Sequence, residues 1–345
     1  MLTYIVKRLL LMIPTLLGAV TLTFVIIQFV PGGPIEQLVA EMRTGQGGDV
    51  RAGTRGRRDL DEKQLQDLKV LYGFDKPPVE RYLLMLKSFA RFDLGRSFRQ
   101  NKDVWQLIKE KLPVSASLGL WTFLLSYLIS IPLGIAKAVR EGSRFDALTT
   151  FALLAGYAIP GFVLGVVLIV LFAGGTFLDW FPLRGLTSDN WHELSWPSRI
   201  ADYLWHLTLP LVCFAIGSFA TVTLLTKNTF IEEIRKQYVL VARSKGLSER
   251  RVLYRHVFRN ALIPIVTGFP TAFVGAFFAG SLLIETLFSL DGLGLLSYES
   301  LVRRDYPVVL GTLYFFTLIA LFVKLVGDLL YVVVDRRVQF TAVAK

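Results

Sequence analysis

Six long runs without a charged residue are the feature that most limits what this chain can fold into. They cover residues 9–30, 112–136, 147–178, 203–226, 260–284 and 306–323. Each is long and apolar enough to cross a bilayer core as a helix, which takes roughly 18 or more residues. Inside lipid a helix satisfies all its backbone groups within one segment. The runs therefore predict an all-α membrane protein with six transmembrane helices, and a mean hydropathy of +0.51 agrees.

The charges between the runs indicate which side of the membrane each loop faces. Residues 1–8, 137–146, 227–259 and 335–345 together carry 17 Lys and Arg against 6 Asp and Glu. The two short loops on the other side carry 4 basic and 8 acidic residues. Because short cytoplasmic loops are enriched in Lys and Arg, both termini are predicted to be cytoplasmic. In these four segments the basic residues exceed the acidic ones by 11, which equals the net charge of the whole chain. Membrane topology therefore explains the basic excess without a nucleic-acid partner.

The predicted topology divides the chain into four segments, none of which is a separate soluble domain. Residues 31–111 lie between the first two spans and are predicted to be external, flexible over the Gly- and Arg-rich residues 41–59 and helical over 60–112. The predicted segments are an N-terminal transmembrane helix (1–30), an external helical region (31–111), a five-helix core that includes the cytoplasmic loop 227–260 (112–334), and a cytoplasmic tail (335–345).

The loop between the fourth and fifth runs is predicted to form a helix–turn–helix elbow. Apolar residues from Phe230 to Val241 recur at helical spacing and make one amphipathic stripe. Gly246 then interrupts the pattern as a C-cap glycine does, and Ser248 is a favourable N-cap for a second helix. The elbow therefore reaches a transmembrane helix at each end.

This basic elbow has three interpretations. It is either an interfacial helix attracted to anionic lipid, a nucleic-acid-binding segment, or a docking surface for a cytoplasmic partner. The nucleic-acid interpretation has the least support, because the loop offers no stacking aromatic residues in a suitable context. Attraction to lipid alone does not require a glycine corner, whereas a partner that grips one loop does.

The residues around the corner resemble the coupling loop of permease subunits from binding-protein-dependent ABC importers. The family signature is Glu-Ala-Ala, three residues, then Gly; here LVA (240–242) and Gly246 occupy those positions, so the Glu and the first Ala are missing. The peptide branch of the family is closer, with Ala-Arg-x-Lys-Gly-Leu at 242–247 and Arg-Asn-Ala at 259–261.

Other stretches extend the resemblance almost from end to end. They are PGGP (31–34), YGFDKPPVERY (72–82), FDLGRSF (92–98), the segment 285–311, and VDRRVQF (334–340). In the last, Arg336 stands where the family usually has Pro. The chain is most similar to YejB-type permeases of the peptide branch.

The resemblance implies a type I ABC importer permease fold and a non-enzymatic translocation subunit for peptides in the bacterial inner membrane. It implies as partners a homologous second permease subunit, a cytoplasmic ABC ATPase that holds ATP and Mg, a periplasmic peptide-binding protein and the surrounding membrane lipid. The chain itself is expected to bind no cofactor and no metal, and it has no G-x-x-x-x-G-K-[ST] phosphate loop. The residues expected to couple to the ATPase are Tyr238, Ala242, Gly246, Leu247 and Val252 as groove contacts, with Arg243, Lys245 and Arg251 at the polar rim.

Three ionisable residues within or beside the runs remain as candidates for the translocation path or a gate. Lys324 and Asp328 are spaced i, i+4 and can meet on one helix face, either as path residues or as a structural ion pair. Glu285, at the outer end of the fifth run, either lines the external mouth or binds a neighbouring loop. The alternative function is a proton-coupled secondary transporter that uses Lys324 and Asp328, although the chain has no visible internal repeat.

Overall fold

The computed structural model describes residues 2–30, 74–175, 177–278 and 281–334, which are mostly helical. The predictions for residues 31–73 and for the tail 335–345 lie outside the described residues. In chain order the helices are α1 (Leu2–Phe29), α2 (Pro78–Phe89), α3 (Val104–Val139), α4 (Arg144–Ala158), α5 (Gly161–Phe172), α6 (Trp196–Ile234), α7 (Gln237–Ser244), α8 (Glu249–Ala261), α9 (Ile263–Phe278), α10 (Ser281–Leu287), α11 (Leu293–Val302) and α12 (Tyr306–Val334).

The helices confirm the predicted all-α membrane class and up to six spans. Among the described residues, α1, α3, α6 and α12 are each long and apolar enough to cross a membrane. Two bent pairs supply the others: α4 and α5 meet at 95°, and α8 and α9 meet at 50°. The third run is therefore not one straight helix. Ile159 is extended (φ −87°, ψ 119°), as a residue before proline prefers, so Pro160 breaks the span.

Contacts divide the chain into two compact units. The first contains residues 1–8, 112–295 and 319–345, and the second contains residues 9–111 and 296–318. Described residues of the first unit form an apolar cluster around Leu207 and Phe288 and another around Phe230. In the second unit, the Tyr314 ring lies 5.0 Å from the Phe89 ring and its hydroxyl donates to the Phe89 carbonyl.

Glycines permit close helix crossings in the first unit. A Cβ at Gly134 of α3 would lie 2.6 Å from Thr226 Cβ of α6, and a Cβ at Gly327 of α12 would lie 1.9 Å from Pro270 Cγ of α9. Side chains at these glycines would force the helices apart. This is the small-residue packing by which membrane helices approach without a hydrophobic driving force between them.

Candidate coupling site and its supporting contacts

The elbow, residues 235–262, turns at Gly246 as predicted. Helix α7 ends at Ser244, and Gly246 has a φ of +76°, the left-handed conformation that favours glycine. Its N–H donates to the Arg243 carbonyl at 2.9 Å, and the Leu247 N–H donates to the Ala242 carbonyl at 3.4 Å. These bonds satisfy carbonyls at the end of α7 and fix the direction in which α8, the second arm of the elbow, leaves the corner.

The start of the second arm differs from the prediction in one detail. Ser248 occupies the N-cap position with extended backbone, but within the described residues its side chain makes no capping hydrogen bond. Farther along, residues 252–257 are π-helical. The wider turn places Val252 and Val257, five residues apart, on the same inward face, where they are 1% and 0% exposed.

The inner face of the elbow packs against the C-terminal ends of α3 and α6. Val239 and Ala242 of α7 join Val252, Val257 and Ala261 of α8 in one apolar cluster, which Ile135, Ala138 and Phe230 complete. Apolar burial stabilises by about 25 cal/mol per Å². Both arms are therefore held to two transmembrane helices instead of hanging from them.

A polar network fixes the same joint from the side. The Tyr238 hydroxyl donates to Glu233 Oε1 at 2.7 Å and accepts from Asn260 Nδ2 at 3.2 Å. Glu233, buried at the end of α6, also contacts the ammonium of Lys236. Burial raises the pKa of Tyr238 to about 12, so the hydroxyl stays neutral and able to donate at physiological pH. The network joins α6, α7 and α8.

The surface of the elbow carries both basic and apolar side chains. The guanidinium of Arg243 makes two hydrogen bonds to Glu249, at 2.8 and 3.0 Å, across the Gly246 corner. Leu240, Val241 and Tyr254 are each more than half exposed. An exposed apolar patch rimmed by charge is typical of a protein interaction site.

The structure separates the eight predicted coupling residues into two groups. Arg243, Lys245, Gly246 and Arg251 lie on the surface, whereas Ala242 and Val252 are buried in the chain's own core, with Tyr238 and Leu247 packed against it.

Ala242 and Val252 therefore cannot make the groove contacts expected of them, because at 6% and 1% exposure they have almost no surface left for a partner. The predicted stripe is also wrong at Val241, which is 52% exposed, while Val239 is fully buried. The exposed apolar residues of the corner were not predicted, although adjacent apolar residues at 240–241 place at least one of them away from the core.

A buried ion cluster beside the elbow was also not predicted. Lys137 of α3 is 0% exposed, and its ammonium lies 3.1 Å from Asp146 Oδ1 and within hydrogen-bonding distance of the hydroxyls of Thr149 and Thr150. Lys227 of α6 lies 2.7 Å from the other oxygen of Asp146. One carboxylate thus ties α4 to both α3 and α6. The sequence showed these charges only as loop charges that indicate topology.

The expected pair of Lys324 and Asp328 does not form. Asp328 instead lies 2.9 Å from Arg8 of α1 and accepts from the Tyr4 hydroxyl at 3.1 Å. No ion pair joins Lys324 to Asp328, both of which the structure describes, and Lys324 is exposed. Asp328 therefore anchors the first helix to the last.

Glu285 binds a neighbouring loop, one of the two possibilities that the sequence left open. It is 0% exposed, and its Oε2 accepts from the Leu295 N–H at 2.7 Å. Ser115 of α3 lies 3.5 Å from Glu285 Oε1 and accepts from the Leu293 N–H at 2.8 Å. A Cβ at Gly292 would lie 2.5 Å from Glu285 Oε1, so glycine is required for this approach. Glu285 holds the start of α11.

Comparison with known proteins identifies the family. The family model described as "Binding-protein-dependent transport system inner membrane component" matches residues 130–340. The peptidoglycan transport system permease protein YejB of Agrobacterium fabrum is 55% identical, with 98% of each chain covered. The inner membrane ABC transporter permease protein YejB of Escherichia coli O157:H7 is 50% identical at the same coverage. The oligopeptide transport system permease protein AppB of Bacillus subtilis is 33% identical, covering 99% of this chain and 100% of its own.

A solved structure supports the fold. The inward-facing MetNI methionine ABC transporter matches with a TM-score of 0.51 and 14% sequence identity, covering 67% of this chain and 98% of that one. At this identity the match shows the type I ABC importer permease fold and nothing about substrate. The chain belongs to the binding-protein-dependent transport system inner membrane components, the permease subunits of ABC importers, and within them to the branch of the peptide permeases.

Proposed function

We propose that this chain is a translocation subunit of an ATP-driven peptide importer and that the elbow is where force from the ATPase enters it. The observation that carries the proposal is the two-sided elbow. Its inner face is packed on α3 and α6, and its outer face presents Leu240, Val241 and a basic rim. A segment that is rigid toward the spans and exposed toward the cytoplasm is suited to transmit motion.

Mechanical coupling requires stiffness between the docking surface and the spans. The bonds of Tyr238 with Glu233 and Asn260 bridge three helices, and the apolar cluster behind them excludes water. Interfaces and packed cores shift between discrete arrangements and do not deform continuously. A push on the corner is therefore expected to move α6 and α8 together with it. In this scheme Arg243, Lys245, Gly246 and Arg251 contact the ATPase, whereas Ala242 and Val252 support the elbow from inside.

The cargo proposed for this chain is an oligopeptide. Relatives at 55% and 33% identity are named for peptidoglycan and oligopeptide transport, which extends the proposal to modified peptides. A second, homologous permease subunit would complete the path, an ATPase would bind ATP and Mg below it, and a periplasmic binding protein would deliver the peptide. Both termini would then face the cytoplasm, in agreement with the loop charges.

The proposal is tested by Gly246→Asp in the assembled complex. A Cβ at Gly246 would meet no described atom within 4 Å, so the change costs the fold only the left-handed backbone penalty of roughly 1–2 kcal/mol. We expect membrane insertion to persist while peptide-stimulated ATP hydrolysis falls at least about tenfold, because a charged side chain would then stand in the docking surface.

Gly175→Asp is the matched control. Gly175 has a φ of +66°, and a Cβ there would also meet no described atom within 4 Å, but it lies far from the elbow in the chain, after α5. Stimulated hydrolysis should be retained in this variant. If Gly246→Asp keeps both stimulated hydrolysis and uptake, the elbow is not the docking site.

The described residues do not favour the proton-coupled alternative. Its two proposed carriers do not meet, and Asp328 is held by Arg8 and Tyr4.

A further inference from the structure

The second unit contains an apolar cavity at the end of α1. Phe24 and Ile27 of α1, Met85 and Phe89 of α2, and Leu310 of α12 supply apolar walls. The cavity measures about 220 Å³. Its polar lining side chains include Gln28, Arg81, Ser88 and Asp93.

Arg81 carries a positive charge that the described part of the chain does not neutralise. Its Nη2 donates to the uncharged amide of Gln28 at 2.7 Å, and its guanidinium lies 4.7 Å from the centre of the Phe74 ring. Among the described residues, no carboxylate lies within 4 Å of Arg81, and its Nε is buried without a hydrogen-bond partner. Asp93, the acidic lining residue, accepts from the Gly95 N–H instead. Partial burial lowers the pKa of the Arg81 guanidinium.

The cavity lies where the first predicted span ends and the last begins. Gln28 is in the last turn of α1, and Tyr306, which also lines the cavity, begins α12. Nearby apolar side chains face outward: Val79 and Leu83 of α2 are 70% and 58% exposed, and Phe29 is 81% exposed. A short amphipathic helix with exposed apolar residues beside basic ones is typical of a segment that rests in the headgroup region.

We propose that this cavity binds an anionic phospholipid, with its phosphate at Arg81 and part of one acyl chain in the apolar interior. The phosphate supplies the missing negative charge, and arginine binds phosphate through its planar fork of N–H donors. The acyl chain fits a lining that is mostly aromatic and aliphatic. A hydrophilic peptide or a free phosphate would leave that lining exposed to water, so the lipid satisfies both halves of the cavity.

The test is lipid retention by the purified transporter complex, measured by native mass spectrometry after exchange into mixed micelles of phosphatidylglycerol and phosphatidylethanolamine. We expect wild type to retain phosphatidylglycerol in preference to phosphatidylethanolamine. Arg81→Gln should lower retention of phosphatidylglycerol about tenfold, since Gln keeps a polar contact with Gln28 but lacks the charge. Arg91→Gln, on an exposed arginine that does not line the cavity, is the matched control and should behave as wild type.

A second variant keeps the test decisive if Arg81→Gln proves unstable. Met85→Trp fills the cavity without changing charge and should also reduce retention of phosphatidylglycerol. Equal retention of the two lipids by wild type, or equal retention of phosphatidylglycerol in all variants, would overturn the proposal.

Discussion

Replacing Asp146 with Asn is the most informative perturbation of the membrane core. Asn keeps the size of the side chain and one carbonyl acceptor, but it removes the negative charge that lies between Lys137 and Lys227. Two ammonium groups from different helices then face each other without a carboxylate. The attraction that ties α4 to α3 and α6 becomes a repulsion.

The expected cost follows from the distances and the burial. At an effective dielectric constant of ~20, a unit pair at the 3.1 Å between Lys137 and Asp146 attracts by about 5 kcal/mol before desolvation is counted. Removing one partner of a buried pair costs roughly 3–5 kcal/mol in measured cases. We expect about 3 kcal/mol, the lower end, because the Lys227 side chain is 16% exposed and can turn toward water, whereas Lys137 at 0% cannot.

The free energy of unfolding can be measured in mixed micelles of increasing SDS fraction, with fluorescence of the 6 Trp residues as the signal. Glu141→Gln is the matched control, since the pair of Glu141 with Arg235 spans a similar 2.9 Å but both side chains are exposed. Exposed pairs contribute at most about 1 kcal/mol. If the Asp146 and Glu141 variants lose the same free energy within ~0.5 kcal/mol, the cluster does not hold the spans together.

Two further substitutions test packing in the same assay. Gly327→Ala should destabilise by about 1–3 kcal/mol or more because its Cβ would overlap Pro270. Gly268→Ala, with no described atom within 4 Å of its Cβ, is the control and should be neutral or slightly stabilising. Equal effects of the two variants would refute the close crossing. Tyr238→Phe should lower the free energy of unfolding by about 1–2 kcal/mol, because it removes the hydroxyl that joins three helices. Tyr254→Phe, on a residue that is 56% exposed, is the control and should change it little. Equal losses would show that the network adds no stability.

The spans and the elbow could be read from the sequence because each depends on local pattern. Length and apolarity determine a transmembrane helix, and a glycine after an amphipathic segment ends it in left-handed backbone, as Gly246 does. The break of the third span also had a local signal in Pro160. Length and hydropathy alone do not reveal the break, because a long apolar run satisfies both criteria whether or not it is continuous.

The polar contacts inside the core could not be read because they join residues far apart in the chain. Asp328 was expected to pair with Lys324, its neighbour at i, i+4, yet it pairs with Arg8 at the other end of the sequence. Helix spacing predicts which residues share a face, but the partner across a helix–helix contact depends on how the helices are arranged. The cluster around Asp146 could not be predicted for the same reason, because its charges come from different helices.

The coupling residues fall between these cases. The family resemblance implies that Ala242 and Val252 contact the ATPase groove, whereas the structure buries both residues in the chain's own apolar cluster. A stripe in sequence does not show whether its partner is the same chain or another.

The central claim is that ATP hydrolysis by a bound ATPase drives peptide uptake through this permease. The direct measurement is uptake of a labelled oligopeptide into proteoliposomes that contain the complex purified with this chain, with the binding protein outside, in four conditions: with and without internal ATP, and with and without a protonophore. We expect uptake that requires internal ATP and survives collapse of the proton gradient. Uptake that proceeds without ATP and stops with the protonophore would contradict it.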